Sequence, residues 1–301
     1  MDPYSVFEFL DWIDQQNKVS DATVYHYAKG DTIKKILREN GIVLRLTRVE
    51  DFKDKYEGKA TLVCYDLALI ELLEEGNISQ KEYELLCDAE PTTKCLVFQK
   101  KDKTTGADVY AREKYVPYVI CFSNQKDNDY MFEHYASGDN LQGCIGFYPA
   151  ELREELRVQM RPLDEISIQK VMYGRETIKM LKQAIERVVS ILRESNDETS
   201  QKYCRNLIDE LLRELQYPAK MGRFWREDEK RLIIFLPNQD NLTEEQKAEF
   251  VFNRGTEDGK EYIEVCVPKN CFEGISYSQS TSQDDAENMR QHLISIGYSC
   301  E

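Results

Sequence analysis

Residues 115–123, Tyr-Val-Pro-Tyr-Val-Ile-Cys-Phe-Ser, form the most strand-like run in the chain. β-Branched and aromatic residues dominate it, and these residue types favour the pleated surface of a sheet. A short helical segment at 127–137 follows, and then a second strand-like run at 141–148, LQGCIGFY. The order strand, helix, strand also occurs upstream, between residues 22 and 47. The sequence therefore predicts an α+β fold with a mixed central sheet and peripheral helices.

Two longer segments have helical periodicity instead. Residues 59–89 contain an apolar stripe that is interrupted near Gly76, and residues 175–215 alternate apolar and charged positions with a break near Ser195. A chain of 301 residues is near the length at which one core begins to split. We interpret residues 1–301 as a single domain, with helical insertions at about 59–89 and 175–215, the second of them a helical hairpin.

The composition restricts the class of function. A hydrophobic fraction of 41% excludes global disorder. With 40 Lys and Arg against 55 Asp and Glu, the net charge is −15, and the average field repels polyanions such as duplex DNA. A cluster of basic residues between Lys220 and Arg231 leaves a local basic groove open as an alternative to a solvated face.

The sequence also predicts where the protein resides. Its nine cysteines are scattered singly, without a C-x-x-C pair, which favours reduced thiols in a reducing compartment. No run approaches the roughly 18 apolar residues of a membrane helix. The first residues carry acids and no basic head, unlike a secretion signal. We expect a cytoplasmic protein without a membrane partner.

Standard catalytic signatures are missing from the sequence. It contains no G-x-G-x-x-G, Walker loop, H-E-x-x-H or G-x-S-x-G motif. The three histidines and the unclustered cysteines do not show the spacing of His and Cys ligands that zinc sites use. We therefore assign no metal ligand, while metal binding by carboxylates stays open as an alternative because acids are abundant along the chain.

Three segments remain as candidates for chemistry. His26 lies between Tyr25 and Tyr27 on a predicted strand, so its imidazole projects from the face opposite both tyrosines. An aromatic helix carries Tyr130, His134 and Tyr135, and a strand entrance carries Glu227, Glu229 and Arg231 on one face. A structural histidine, a core aromatic stripe and a solvated charge ladder are the respective alternatives.

Taken in order, these segments resemble a bacterial family known as domain of unknown function 2971. The matching motifs are YHY (25–27), L-x-L-x-x-x-x-D-F-x-D-x-Y-E (44–57), CFS (121–123), HY (134–135), GCIGF (143–147) and W-x-E-x-E-x-R-L (225–232). That family resembles the ADP-ribosyltransferase fold, so the resemblance implies a central sheet of that type. Some of its relatives are associated with toxin or phage-defence roles.

The resemblance implies NAD as cofactor and ADP-ribosyl transfer as the reaction. Cleavage of the bond between nicotinamide and ribose passes through an oxocarbenium-like species, so a nearby carboxylate stabilises positive charge. By that analogy Glu229 acts on the ribose, with Glu227 as second or alternative acid. The implied cofactor contacts are His26 at a ribose hydroxyl, Ser123 at the carboxamide, and Tyr130 or Tyr135 stacked on the nicotinamide. Arg231 either holds the carboxylate ionised or meets the pyrophosphate, and Tyr27 and His134 are further cofactor-binding residues.

The implied acceptor is a macromolecule, either nucleic acid or protein, in a bacterial toxin or anti-phage setting where an antitoxin would be a further partner. Two other functions stay open at this point. One is an NAD-cleaving or nucleotide-binding protein without a macromolecular acceptor. The other is a non-catalytic scaffold that binds a protein through the hairpin at 175–215. The enzymatic prediction requires that His26 and Glu229 converge on one cavity.

Overall fold

The computed structural model describes Trp12 and residues 22–52, 54, 56, 58–90, 95–101, 108–159, 165–194, 197–238 and 252–300. The described strands are β1 (Val24–Lys29), β2 (Leu37–Arg38), β3 (Gly41–Arg48), β4 (Cys95–Lys101), β5 (Asp108–Ser123), β6 (Gln142–Phe147), β7 (Glu165–Lys170), β8 (Met172–Tyr173), β9 (Ala219–Lys220), β10 (Glu229–Pro237), β11 (Asn253–Glu257), β12 (Lys260–Val267) and β13 (Phe272–Tyr277). The described α-helices are α1 (Gly30–Ile36), α2 (Ala60–Glu74), α3 (Gln80–Leu86), α4 (Asp129–Met131), α5 (Pro149–Gln159), α6 (Arg175–Glu194), α7 (Glu198–Leu215) and α8 (Gln283–Ser295). The protein is therefore α+β, as predicted.

The chain divides into two compact units. Unit 1 comprises residues 1–18, 53–94 and 170–225, and unit 2 comprises residues 19–52, 95–169 and 226–301. Both segments predicted as helical insertions, 59–89 and 175–215, lie in unit 1.

Unit 1 is built from α2, α3, α6 and α7, with the parallel strand pair β8 and β9. The predicted breaks are confirmed, since α2 ends before Gly76 and α6 ends at Glu194. Buried residues recur at helical spacing on α6 and α7, so their apolar stripes meet in one core. The helix α3 begins at a capping box in which Ser79 and Glu82 satisfy each other's backbone N–H groups.

Unit 2 is organised around a curled sheet that contains eleven of the described strands. Its main order is β11-β12-β3-β5-β1-β6-β13, with β10 and β4 also paired to β5. The strand-like run 115–123 forms the second half of β5 and pairs along its whole length with β10, from Tyr115↔Pro237 to Ser123↔Glu229. β5 is therefore the central strand, and the segments around it are placed by their register against it.

The predicted mixed sheet is corrected to an antiparallel one. The helix α1 and the short strand β2 do lie between two strands that run in the same direction, β1 and β3, as the strand, helix, strand order predicted. These two strands pair with β5 rather than with each other, β3 at Thr47↔Val119 and β1 at Tyr25↔Ser123. Between these two points β5 has no partner strand on that edge among the described residues.

The two faces of the sheet differ in what covers them. On one face, side chains of β1, β3, β5, β6 and β10 form a large apolar core with residues of α5 and α8. On the other face, the segment 129–136 packs on β1 and β6 through a small cluster that includes Tyr27, Phe132 and Cys144. The glycines of the GCIGF motif have a steric role here, because a Cβ on Gly143 would lie 2.4 Å from Cδ1 of Ile33.

Cys64, Cys87, Cys121, Cys144, Cys204, Cys266, Cys271 and Cys300 are free thiols, and four of them are buried: Cys64, Cys144, Cys204 and Cys271. Across the described residues, no helix combines the length and the apolar character that crossing a bilayer requires.

Candidate functional site

Three of the segments singled out in the sequence lie side by side in unit 2. Ser123 on β5 pairs with Tyr25 on β1 at one edge and with Glu229 on β10 at the other edge. Directly paired residues of antiparallel strands point to the same face. Tyr25, Ser123 and Glu229 thus form a row across three strands, and Arg231 follows on the same face, paired with Cys121.

The charged side chains at the start of β10 are buried. Glu227, Glu229 and Arg231 are only 3%, 2% and 0% exposed. The Arg231 Nε donates to Glu229 Oε1 at 2.7 Å. A charge leaves water at a large cost unless it is paired, so this arrangement is not the solvated charge ladder that was the alternative interpretation.

A turn with strained backbone positions Glu227. The 3₁₀ turn Gly222–Glu227 ends there, and Asp228 has φ +40°, in the region that favours glycine, asparagine and aspartate. Ser123 Oγ donates to the Glu227 carbonyl at 2.8 Å, and the Asn124 N–H donates to the Asp228 carbonyl at 2.8 Å. Glu227 therefore precedes the strand, and the predicted alternation with Glu229 and Arg231 was wrong for this residue.

Tyr135 reaches Glu227 from the segment that covers this face. A π-helical turn, Phe132–Ala136, follows α4 and carries Tyr135, whose hydroxyl donates to Glu227 Oε1 at 2.6 Å. Single π-helical turns are rare and occur frequently at functional sites. Burial, and then the hydrogen bond and charge of Glu227, raise the pKa of Tyr135, so its phenol remains a donor. Tyr135 as a residue is still 48% exposed, so it is the outermost member of the arrangement.

We call Ser123, Tyr135, Glu227, Glu229 and Arg231 the carboxylate corner. It combines two buried carboxylates, one with a guanidinium donor and the other with a phenol donor. Carboxylates fixed in this way can accept hydrogen bonds from hydroxyl groups and can stabilise developing positive charge.

An aromatic pair lies next to the corner on the same covering segment. The rings of Tyr130 and His134 stack with centroids 3.9 Å apart, and His134 Nδ1 donates to the Tyr130 carbonyl at 2.8 Å. The guanidinium of Arg226 lies 5.8 Å from the centroid of the Tyr130 ring. This aromatic shelf presents stacked rings and a cation, and its rings lie on the segment that also carries Tyr135.

Tyr27 has a structural environment. It is 5% exposed, its hydroxyl donates to the Gln125 carbonyl at 2.6 Å, and it accepts from the Asn128 N–H at 3.0 Å. Its ring meets Phe132 edge to face, at 4.9 Å between centroids. Tyr27 therefore anchors the loop 124–128 and the helix that follows, rather than pointing toward the corner as a ligand contact.

His26 lies on the opposite face of the sheet. Its neighbour Tyr25 belongs to the row with Ser123 and Glu229, and successive residues of a strand alternate faces. The ring packs edge to face against Phe122 at 6.0 Å, in keeping with that face. The convergence of His26 and Glu229 that the enzymatic prediction required is therefore not found.

The structure gives His26 another role. Its Nδ1 donates to the Cys121 carbonyl at 3.0 Å, within the stretch of β5 between the points where β3 and β1 pair with it. Burial lowers the pKa of His26, so the ring is neutral there. It also lines a cleft of about 210 Å³ together with charged side chains that include Arg38, Arg45 and Glu257.

Several residues of the site were not identified from the sequence. Tyr25 was recognised only as a neighbour of His26, although strand alternation already placed it on the face of Tyr27. Asp228 and Asn124 were not identified as site residues, because their roles depend on a turn that returns to the end of β5. Arg226 was noted only as a member of the basic cluster between Lys220 and Arg231. The loop motif at 44–57 includes residues 53, 55 and 57, which lie outside the described residues.

No group of three His, Cys, Asp or Glu side chains in the described ranges is arranged to hold a metal ion. Comparisons with protein-family models, with curated proteins and with solved structures found no match for this chain.

Proposed function

We propose that the protein is an NAD-dependent ADP-ribosyltransferase that modifies a macromolecule and whose site is the carboxylate corner. The observation that carries the proposal is the row of Tyr25, Ser123 and Glu229 on one face, with a second carboxylate, Glu227, held beside it. Motifs that are about 100 residues apart in sequence contribute to one polar site. The resemblance noted from the sequence supplies the reaction class.

The residues of the carboxylate corner and of the aromatic shelf fit the nicotinamide, the adjacent ribose and the pyrophosphate of NAD. The hydroxyls of the nicotinamide ribose need acceptors, which the two carboxylates supply. A nicotinamide ring carries positive charge and stacks favourably on aromatic faces, which Tyr130 and His134 supply. Arg226, beside the same shelf, suits an anionic pyrophosphate. His26 does not belong to this set, because it faces the other side of the sheet. The proposal therefore no longer rests on the convergence of His26 with Glu229, which the sequence-based prediction required, but on the carboxylate corner and the aromatic shelf.

Bound NAD would supply the ADP-ribosyl group and nicotinamide as the leaving group. Glu229 is the residue we assign to the ribose, because Arg231 compensates its charge and fixes its orientation. Glu227 is the second acid, and Tyr135 orients it. Ser123 is a positioning residue, since its hydroxyl is committed to the Glu227 carbonyl.

Access to the corner requires Tyr135 to move. Glu227 and Glu229 are at most 3% exposed, whereas Tyr135 is 48% exposed and its hydroxyl contacts Glu227. Rotation of this side chain would uncover Glu227 and bring the phenol ring toward the aromatic shelf. Tyr135→Phe should therefore change the affinity for NAD as well as the rate, because it releases Glu227 from its donor.

The test is transfer of label from NAD to a macromolecule. The purified protein is incubated with NAD labelled in the adenylate moiety and a bacterial extract, and nuclease or protease treatment then identifies the acceptor as nucleic acid or protein. We expect Glu229→Gln to lower labelling about a hundredfold, the usual cost of losing one charge-stabilising group. Glu50→Gln, at an exposed carboxylate, is the matched control and should label normally.

Circular dichroism at the assay temperature must show that both variants are folded. Equal labelling by wild type and a folded Glu229→Gln variant would remove Glu229 from the mechanism. Release of nicotinamide without any labelled polymer would replace the transferase with an NAD-cleaving enzyme. A calorimetric titration that shows no heat of binding at millimolar NAD would reject both.

A further inference from the structure

The helix α2 of unit 1 is apolar on all sides. Its sequence, ATLVCYDLALIELLE, contains no basic residue and only three acids. A helix of this kind is normally buried all round in a protein core. One side of α2 does pack into the core of unit 1, through residues that include Tyr65, Leu69 and Leu72. The opposite side of α2 is unusual, because it is apolar and yet exposed.

That opposite side exposes a row of large aliphatic residues. Val63, Leu67 and Ile70 are 36%, 44% and 42% exposed, and their spacing of four and three residues aligns them on one face. Asp66 lies at the edge of this row and Glu74 continues it toward the end of the helix. We call these five residues the α2 outer face. Single exposed aliphatic residues are ordinary, but a contiguous row on one helix indicates an interaction surface.

The charges of the α2 outer face indicate the partner. Neither Asp66 nor Glu74 forms an ion pair with any described residue, whereas Glu71 and Glu75, on another side of the helix, pair with Arg175 and Lys182. The negative end of the helix dipole adds to the charge near Glu74. One base, Lys59, precedes the first turn of α2. The carboxylates near the middle and the end of the row are thus available to an external cation.

We propose that the α2 outer face binds an amphipathic helix of another protein, with an apolar stripe flanked by Lys or Arg. Helices recognise such surfaces by placing anchors at positions i, i+3, i+4 and i+7. The basic flanks would meet Asp66 and Glu74 and would exclude acidic competitors. This inference is independent of the proposed enzymatic function, because it rests on unit 1 and the carboxylate corner lies in unit 2.

Other occupants match the face less well. A second copy of the chain, docked antiparallel, would bring two Asp66 carboxylates together at the centre of the contact. Residues 2–14 of the same chain carry four acids and no base, so they would add like charge. A membrane with anionic lipids would be repelled by the same carboxylates.

The test uses a fluorescent, helix-forming peptide with leucines on one face and lysines on both flanks, titrated with the full chain in an anisotropy assay. A second peptide with glutamate in place of every lysine is the comparison. We expect the lysine peptide to bind, with an affinity that falls as salt is added, and the glutamate peptide to bind at least tenfold more weakly.

Variants of the protein assign the binding to this face. Leu67→Gln combined with Ile70→Gln should weaken binding of the lysine peptide at least tenfold, and these exposed positions should tolerate the change without unfolding. Asp66→Asn combined with Glu74→Gln should remove most of the salt dependence. Val158→Gln, at an aliphatic residue of unit 2 that is 76% exposed, is the matched control and should leave binding unchanged.

Three results would overturn the proposal. The first is no binding of the lysine peptide, or equal binding by wild type and the Leu67/Ile70 variant. The second is a dimer of the protein alone in sedimentation that the same variant dissociates, which would identify a second copy as the occupant. The third is binding to vesicles of phosphatidylcholine that this variant abolishes.

Discussion

The buried pair of Glu229 and Arg231 makes the carboxylate corner sensitive to the loss of either charge. We consider Arg231→Met, Glu229→Leu and the double variant. The side chains of Arg231 and Glu229 are 0% and 3% exposed, and the Arg231 Nε lies 2.7 Å from the Glu229 Oε1. Each single change leaves one charge inside the protein without its present partner.

The expected sizes follow from this burial. Removing one partner of a buried ion pair typically costs about 3–5 kcal/mol of stability. Replacing both partners with apolar residues of similar volume is commonly neutral or stabilising. We therefore expect each single variant to lose about 3–5 kcal/mol and the double variant to lie within about 1–2 kcal/mol of wild type. The coupling energy of the cycle would be several kcal/mol, far above that of independent sites.

Hydrogen exchange read by mass spectrometry measures the effect where it arises. The strand β10 is paired with β5 throughout 229–237, so exchange of its amides reports opening of this part of the sheet. A loss of 3–5 kcal/mol corresponds to exchange that is roughly 100 to 4,000 times faster. Glu50→Gln removes a carboxylate from an exposed pair with Arg48 and should change opening by less than about 1 kcal/mol. Additive effects in the double variant would refute the claim that the two charges stabilise each other.

Two further predictions concern packing and pH dependence. Gly143→Ala should destabilise the protein by about 1–3 kcal/mol in urea unfolding, because the new Cβ would overlap Ile33. An unchanged unfolding midpoint would contradict the steric role of Gly143 in the GCIGF motif. The hydrogen bond from Arg193, with further donors at Ser79, lowers the pKa of Glu82 from 4.5 to about 2, so its contribution is present above pH 4.5 and is lost as the pH falls toward 2. Arg193→Met should therefore be less stable than wild type at pH 7 by less than about 1 kcal/mol. This difference in stability should vanish at low pH. A difference that stays constant between pH 7 and pH 2 would count against the pair of Arg193 and Glu82.

Much of the fold could be predicted from local pattern. The apolar period of residues 175–215 and its break near Ser195 specified two helices, because amphipathic periodicity is a local property. The run at 115–123 specified a strand for the same reason. Which strands pair with it, and in which direction, depends on contacts between distant residues, so the antiparallel order around β5 was not predictable from any single segment.

The candidate site was even less predictable than the fold, because it too depends on contacts between distant residues. Strand alternation correctly placed His26 opposite Tyr25 and Tyr27, but it did not indicate which of the two faces Glu229 occupies. That choice is set by the register Tyr25↔Ser123↔Glu229, which no local pattern contains. The assignment of Glu227 to the strand failed because Asp228 adopts a positive φ, and aspartate only permits that conformation without requiring it.

On our proposal, NAD binds on the face of the carboxylate corner. Hydrogen exchange of the wild-type protein with and without saturating NAD tests this directly, because it needs no substitution and reports both faces at once. We predict slower exchange in peptides from 124–136 and 222–231, with no change in peptides from 32–45, which border the cleft at His26. Protection confined to 32–45, or none anywhere, would contradict the account.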